Sequence, residues 1–69
     1  MPDITIQVNR EERQVPEGCS VEEFVSLQDL PTQALLIERN EAALHRSQWS
    51  EVRLQAGDRL ELLRIAAGG

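Results

Sequence analysis

Sixty-nine residues carrying a formal net charge of −5 describe one small domain whose acidity disfavours nucleic acid and anionic membranes as partners and favours a basic protein surface. At 41% apolar residues the chain suits a globular fold. Ordering it costs on the order of 100 kcal/mol, so the core needs nearly every apolar side chain and a deep catalytic cleft is not expected.

The chain opens on Ile4, Ile6 and Val8 alternating with Thr5, Gln7 and Asn9, the period-2 pattern of a strand with one buried face. Asn9-Arg10-Glu11-Glu12 is polar and turn-forming, and Arg13-Gln14-Val15 returns as a short second strand. Val15-Pro16-Glu17-Gly18 has the proline and glycine placement of a type I turn. Ser20 and Glu23 then form a capping box, with Glu22 and Glu23 suited to the positive end of a helix dipole. Val21, Phe24, Val25 and Gln28 keep the helical rhythm, with Leu27 broadening the stripe. This predicts a helix from Val21 to about Gln28, ended at or before Leu30 by Pro31.

The apolar run Ala34-Leu35-Leu36-Ile37 predicts a central strand covered wholly or partly on both sides. Glu38-Arg39-Asn40-Glu41 reads as a polar turn and Ala42 to His45 as a weak strand. Ser47 to Ser50 suits a single 3₁₀ turn or loop anchored by Trp49. Gln55-Ala56-Gly57-Asp58 is a further turn before a last strand, Arg59 to Ile65, in which Leu60 and Leu62 share one face and Leu63 and Ile65 the other. If the first pair enters the core, Leu63 and Ile65 lie exposed. The order β-β-α-β-β-(turn)-β predicts an α+β domain, a mixed sheet of four or five strands around one helix.

No apolar run approaches the roughly 18 residues of a membrane-spanning helix. Met-Pro-Asp has neither the basic nor the apolar region of a signal peptide, and the single cysteine, Cys19, requires no oxidising compartment. A cytoplasmic location follows as the expectation.

Conventional catalysts are scarce. His45 and Cys19 belong to different predicted elements, so they pair only if the fold joins them; the simpler expectation is a buried Cys19 and a surface His45. One His and one Cys need two carboxylates to complete a zinc site, and no phosphate-binding glycine loop occurs. The chain is not expected to be an enzyme on its own, nor to bind a metal or cofactor. What remains is the end, Ile65-Ala66-Ala67-Gly68-Gly69. At average glycine usage a Gly-Gly end arises by chance roughly once in 200.

Asn40, then Arg46-Ser47-Gln48-Trp49, then Gly57-Asp58-Arg59-Leu60-Glu61, then Gly68-Gly69, together with the Ser20-x-x-Glu23 helix start, resemble the ThiS family of sulfur carrier proteins. The likeness spans nearly the whole chain. It implies a β-grasp, ubiquitin-like domain over residues 1–65 and a flexible tail over 66–69. It also implies a role: the carboxyl group of Gly69 is adenylated and converted to a thiocarboxylate that donates sulfur for thiazole formation in thiamine biosynthesis. Ala66, Ala67 and Gly68 would thread that group into partner active sites, while Leu63, Arg64 and Ile65 would contact the partners. Those partners are an adenylating enzyme resembling ThiF, a thiazole synthase resembling ThiG and a sulfur donor protein; ATP and Mg²⁺ are used by the adenylating enzyme. A free carrier of this kind is expected to be a monomer.

Two departures from the family pattern stand out. Glu41 occupies a position where glycine is common, and no aromatic stands near Leu63. The related MoaD carriers usually have prolines before the diglycine, and Leu63-Arg64-Ile65 has none, which favours the thiamine branch. The alternatives left open are a carrier for molybdopterin, cysteine or tRNA thiolation, a ubiquitin-like protein modifier, and a small interaction domain. All seven basic residues are arginine, so a modifier could not build chains on its own lysines.

Overall fold

The computed structural model describes residues 2–28 and 35–64. Among these residues five strands and one α-helix follow the expected order: β1 (Asp3–Val8), β2 (Glu11–Pro16), α1 (Val21–Leu27), β3 (Leu35–Arg39), β4 (Ala42–Leu44) and β5 (Arg59–Arg64), with a 3₁₀ turn over Arg46–Gln48. They form one sheet in the order β2-β1-β5-β3-β4. β5 is therefore the central strand. It lies parallel to β1 through Gln7–Arg59 and Val8–Leu60, and antiparallel to β3 from Leu35–Arg64 to Arg39–Leu60.

Alternation decides which face is buried. Ile6, Val8, Val15, Leu35, Ile37 and Leu60 lie in the core with Val21, Phe24 and Val25 of the helix, joined by Cys19, Trp49 and Leu54. Leu62 is only partly buried beside them. Leu27 departs from expectation: at 69% exposure it does not extend the apolar stripe. At about 100° per residue it falls roughly 60° beyond Phe24, on the flank away from Val25. Gln28 ends the helix as its C-cap, and the expected stop at Leu30-Pro31 lies outside the described residues.

Both hairpins turn more tightly than their polar residues suggest. Asn9 and Arg10 have φ of 51° and 70°, and Asn40 and Glu41 have 52° and 72°. Positive φ at both central residues matches a two-residue type I′ turn, whose twist suits antiparallel strands. Only two residues are needed, so Glu11 and Glu12 join β2, and Glu38 and Arg39 join β3. The expected four-residue turns at 9–12 and 38–41 are corrected accordingly. The turn after β2 is also displaced by one residue. Cys19 N–H donates to the Pro16 carbonyl at 3.1 Å, placing Gly18, with φ +84°, at the third position of a type II turn.

The helix start is fully capped. Ser20 Oγ accepts from Glu23 N–H at 3.0 Å, and Glu23 Oε1 accepts from Ser20 N–H at 2.9 Å. Val21 N–H and Glu22 N–H, which have no partner within a helix, donate to the carbonyls of Val52 and Trp49. The loop after the 3₁₀ turn thus docks across the helix end, pinned by a buried Trp49 whose Nε1–H donates to the Leu44 carbonyl at 3.3 Å. No helix among the described residues is long and apolar enough to cross a membrane.

Candidate functional site

The candidate site is the end of β5, and three sets of contacts fix its direction. The ladders to β1 and β3 hold its two sides. Where β1 stops, Asn9 continues the pairing with its side chain: its Oδ1 accepts from Leu62 N–H at 2.8 Å and its Nδ2 donates to the Leu62 carbonyl at 3.4 Å. A side-chain amide here stands in for one more peptide unit of β1.

The third set is a knot around Asp58, whose carboxylate is buried at the start of the strand. Its Oδ2 accepts from Arg39 Nε at 3.0 Å and from Gln55 N–H at 2.9 Å, while its Oδ1 accepts from Asn40 Nδ2 at 3.3 Å. Asn40 Oδ1 in turn accepts from Arg59 N–H at 2.9 Å, and Asn40 N–H donates to the Arg59 carbonyl at 2.8 Å. Gly57, at φ +86°, turns the chain so that its N–H reaches the Thr5 carbonyl at 2.9 Å. The Asn40 and Gly57-Asp58-Arg59 signatures are therefore one structural joint tying the β3–β4 turn to the root of β5.

At the other end of β5, Leu63 is 47% exposed and Arg64 is exposed. Leu63 stands directly opposite Leu36, itself 53% exposed. Together they line a shallow surface depression of about 370 Å³ with Ala43, Leu44, His45 and Arg46. Leu36 was not singled out because an unbroken apolar run suggested a strand covered wholly or partly on both sides, whereas β3 is open on the side that carries Leu36. The available signal was the cross-strand register, which sequence alone does not supply. Ile65, Ala66, Ala67, Gly68 and Gly69 lie outside the described residues, as does the expected boundary between domain and tail.

The structure does not bring Cys19 and His45 into one site. Cys19 is buried in the turn before α1, where burial foremost, and then the Glu23 carboxylate, push its thiol pKa up from the ordinary value, with Arg53 opposing them. His45 is exposed and stands at the N-cap of the 3₁₀ turn, one residue beyond β4 rather than within it. Glu23 has its carboxyl pKa lowered, first by the Ser20 backbone N–H, then by the Ser20 side chain and Arg53. These are signs of capping rather than of acid–base catalysis. Among the described residues no group of three His, Cys, Asp or Glu side chains is placed to hold a metal ion.

Comparison with known proteins extends this picture through the tail. The model of the ThiS family matches residues 4–69. Among solved structures, the thiamine biosynthesis protein ThiS from Geobacter metallireducens superposes with a TM-score of 0.83 at 26% identity, over 96% of this chain and 100% of that one. No curated protein matches. The mixed sheet and single helix are thus a β-grasp fold, and the family match runs through both terminal glycines. The chain belongs to the ThiS family of small sulfur carriers.

Proposed function

We propose that the chain carries sulfur as a thiocarboxylate on Gly69 and delivers it for thiazole formation in thiamine biosynthesis. The observation supporting this reading most directly is that the central strand of the sheet, anchored on both sides, is followed next in the sequence by Ile65-Ala66-Ala67-Gly68-Gly69. The name of the Geobacter protein supports the thiamine branch.

The chemistry follows from the carboxyl group. With a pKa near 3.5 it is an anion at neutral pH and resists nucleophiles. ATP, supplied with Mg²⁺ by an activating enzyme, converts it to an acyl-adenylate and releases pyrophosphate. The outer sulfur of a persulfide on the donor protein then attacks the acyl carbon and expels AMP. A thiol cleaves the resulting acyl disulfide to free the thiocarboxylate. That group is a nucleophile held on a protein, so sulfur reaches the thiazole synthase without release as sulfide. Four extended residues beyond Ile65 reach roughly 13–14 Å, enough to enter a partner's active site while the domain remains outside. Gly68 and Gly69 leave the channel free of Cβ atoms. Leu63, Arg64 and Ile65, with Leu36, form the docking contacts.

The test is an intact mass after incubation with ATP, Mg²⁺, the activating enzyme and a persulfide donor. One oxygen is expected to be replaced by sulfur, and removal of Gly69 should abolish the change. An unchanged mass, under conditions that load a known carrier, would refute the proposal. Loading without restoration of thiazole formation by the paired synthase would keep the carrier chemistry and move its destination elsewhere.

A further inference from the structure

Beside the Leu36–Leu63 pair the sheet carries a second row that is unfavourable for the isolated chain. Glu38 on β3 and Glu61 on β5 stand directly opposite one another, two residues from Leu36 and Leu63 along their strands and therefore on the same outward face. Cβ atoms so paired are about 5 Å apart, and like charges at that position destabilise a sheet. The residue across from Glu38 on β4 is Ala43, which brings no charge.

Nearby cations approach other groups. Arg59, two residues before Glu61, approaches Glu41 at 3.9 Å, and Arg46, at the rim of the depression, lies over the Trp49 ring at 5.6 Å. The ion pairs among the described residues, Arg13–Glu11, Arg39–Asp58, Arg53–Glu23 and Arg59–Glu41, include neither Glu38 nor Glu61.

We infer that Glu38 and Glu61 form a cation clamp for a partner protein, seating an arginine or lysine side chain while an adjacent apolar side chain of that partner rests on Leu36 and Leu63. Charge complementarity identifies the occupant. An exposed apolar pair alone accepts any apolar surface, whereas two facing carboxylates reject an acidic or purely apolar one and attract a cation. A guanidinium suits the place well, since its fork can donate to both carboxylates at once. The net charge of −5 adds long-range attraction for the same basic surface. Identification of the partner as the activating enzyme rests on the carrier reading above; the chemistry of the clamp does not.

The clamp has a signature that an ordinary surface charge lacks. Neutralising either carboxylate should stabilise the free chain and weaken the complex. The experiment compares wild type, Glu38→Gln, Glu61→Gln and Glu38→Gln/Glu61→Gln, each as the full chain. Thermal midpoints are read for the free proteins, and calorimetric dissociation constants for the activating enzyme at two NaCl concentrations. Each single substitution should raise the midpoint by a few degrees and weaken binding by about tenfold, with a shallower salt dependence. Binding within twofold of wild type, an unchanged salt dependence, or a lowered midpoint overturns the clamp. If wild type binds and gains sulfur while the Gln variants bind equally well, the clamp fails and the carrier reading stands. If wild type does not bind the activating enzyme, both fail.

Discussion

Replacing Asp58 with alanine tests whether the joint at the root of β5 holds the domain together. The substitution removes the acceptor for Arg39, Asn40 and the Gln55 N–H in one step. It also leaves the Arg39 guanidinium, whose side chain is 28% exposed, without its carboxylate. Breaking a buried ion pair from one side costs about 3–5 kcal/mol; partial access of water to Arg39 places this case at about 3 kcal/mol. A chain of this length has a total stability of roughly 3–10 kcal/mol, so the loss is a large fraction of it. For a domain of this size it corresponds to a fall of about 12–24 °C in the unfolding midpoint. Urea and thermal unfolding followed by circular dichroism measure it directly. Asp58→Asn retains an acceptor oxygen and should lose about half as much. Arg39→Met combined with Asp58→Ala should recover part of the loss, because the stranded guanidinium is removed with its partner. A loss under about 1 kcal/mol, or a double variant no more stable than Asp58→Ala, would show that the joint is solvated surface.

The remaining predictions concern the turns and the titrating groups. Glu41→Gly should stabilise the fold by about 1 kcal/mol, because glycine adopts the φ of 72° without a Cβ penalty and only a long, exposed pair to Arg59 is lost; a lower midpoint in thermal unfolding would contradict this. Glu23, with its pKa lowered in the folded state, stabilises above the ordinary glutamate range, and that contribution is lost as pH falls through the lowered value. Wild type should therefore exceed Glu23→Gln in unfolding midpoint at neutral pH and converge with it in acid; a constant gap across the titration would count against the assignment. Cys19 has a raised pKa, so its contribution is present below the ordinary thiol value and lost as pH rises through the folded one. Its alkylation by iodoacetamide near pH 8 should be at least tenfold slower in the native chain than in urea; equal rates would mean that the thiol is open to solvent.

The order of elements was legible in the sequence because each carries its own local signal. Ile4, Ile6 and Val8 alternate, and Ser20 and Glu23 bracket a helix start. What escaped depends on residues distant along the chain. Arg39 reads as part of a turn because it is charged; the two-residue turn at Asn40-Glu41 leaves it in β3, where its side chain pairs with the Asp58 carboxylate nineteen residues away. Leu27 looks apolar enough to be buried, yet it falls on the flank of the helix away from Val25 and stays exposed. Of the candidate site, the sequence shows only the proposed tail. Gly68-Gly69 can be read directly, but the Leu36–Leu63 and Glu38–Glu61 rows arise from register, a property of two strands together.

The central position of β5 also bears on how the protein is made. β1 and β3 both hydrogen-bond to β5, so before Arg59–Arg64 is synthesised the sheet is two separate hairpins with nothing between them. An isolated hairpin is at best marginally stable in water. A ribosome that stops before residue 59 therefore releases a chain unable to close its core, open to proteolysis because its strand edges and apolar faces stay exposed. β5, the C-terminal strand among the described residues, is the one that completes the sheet. Under the proposed carrier function, acquiring the fold and acquiring the end that would carry sulfur are thus nearly the same event, and a truncated chain is denied the structure with which it could occupy a partner unproductively.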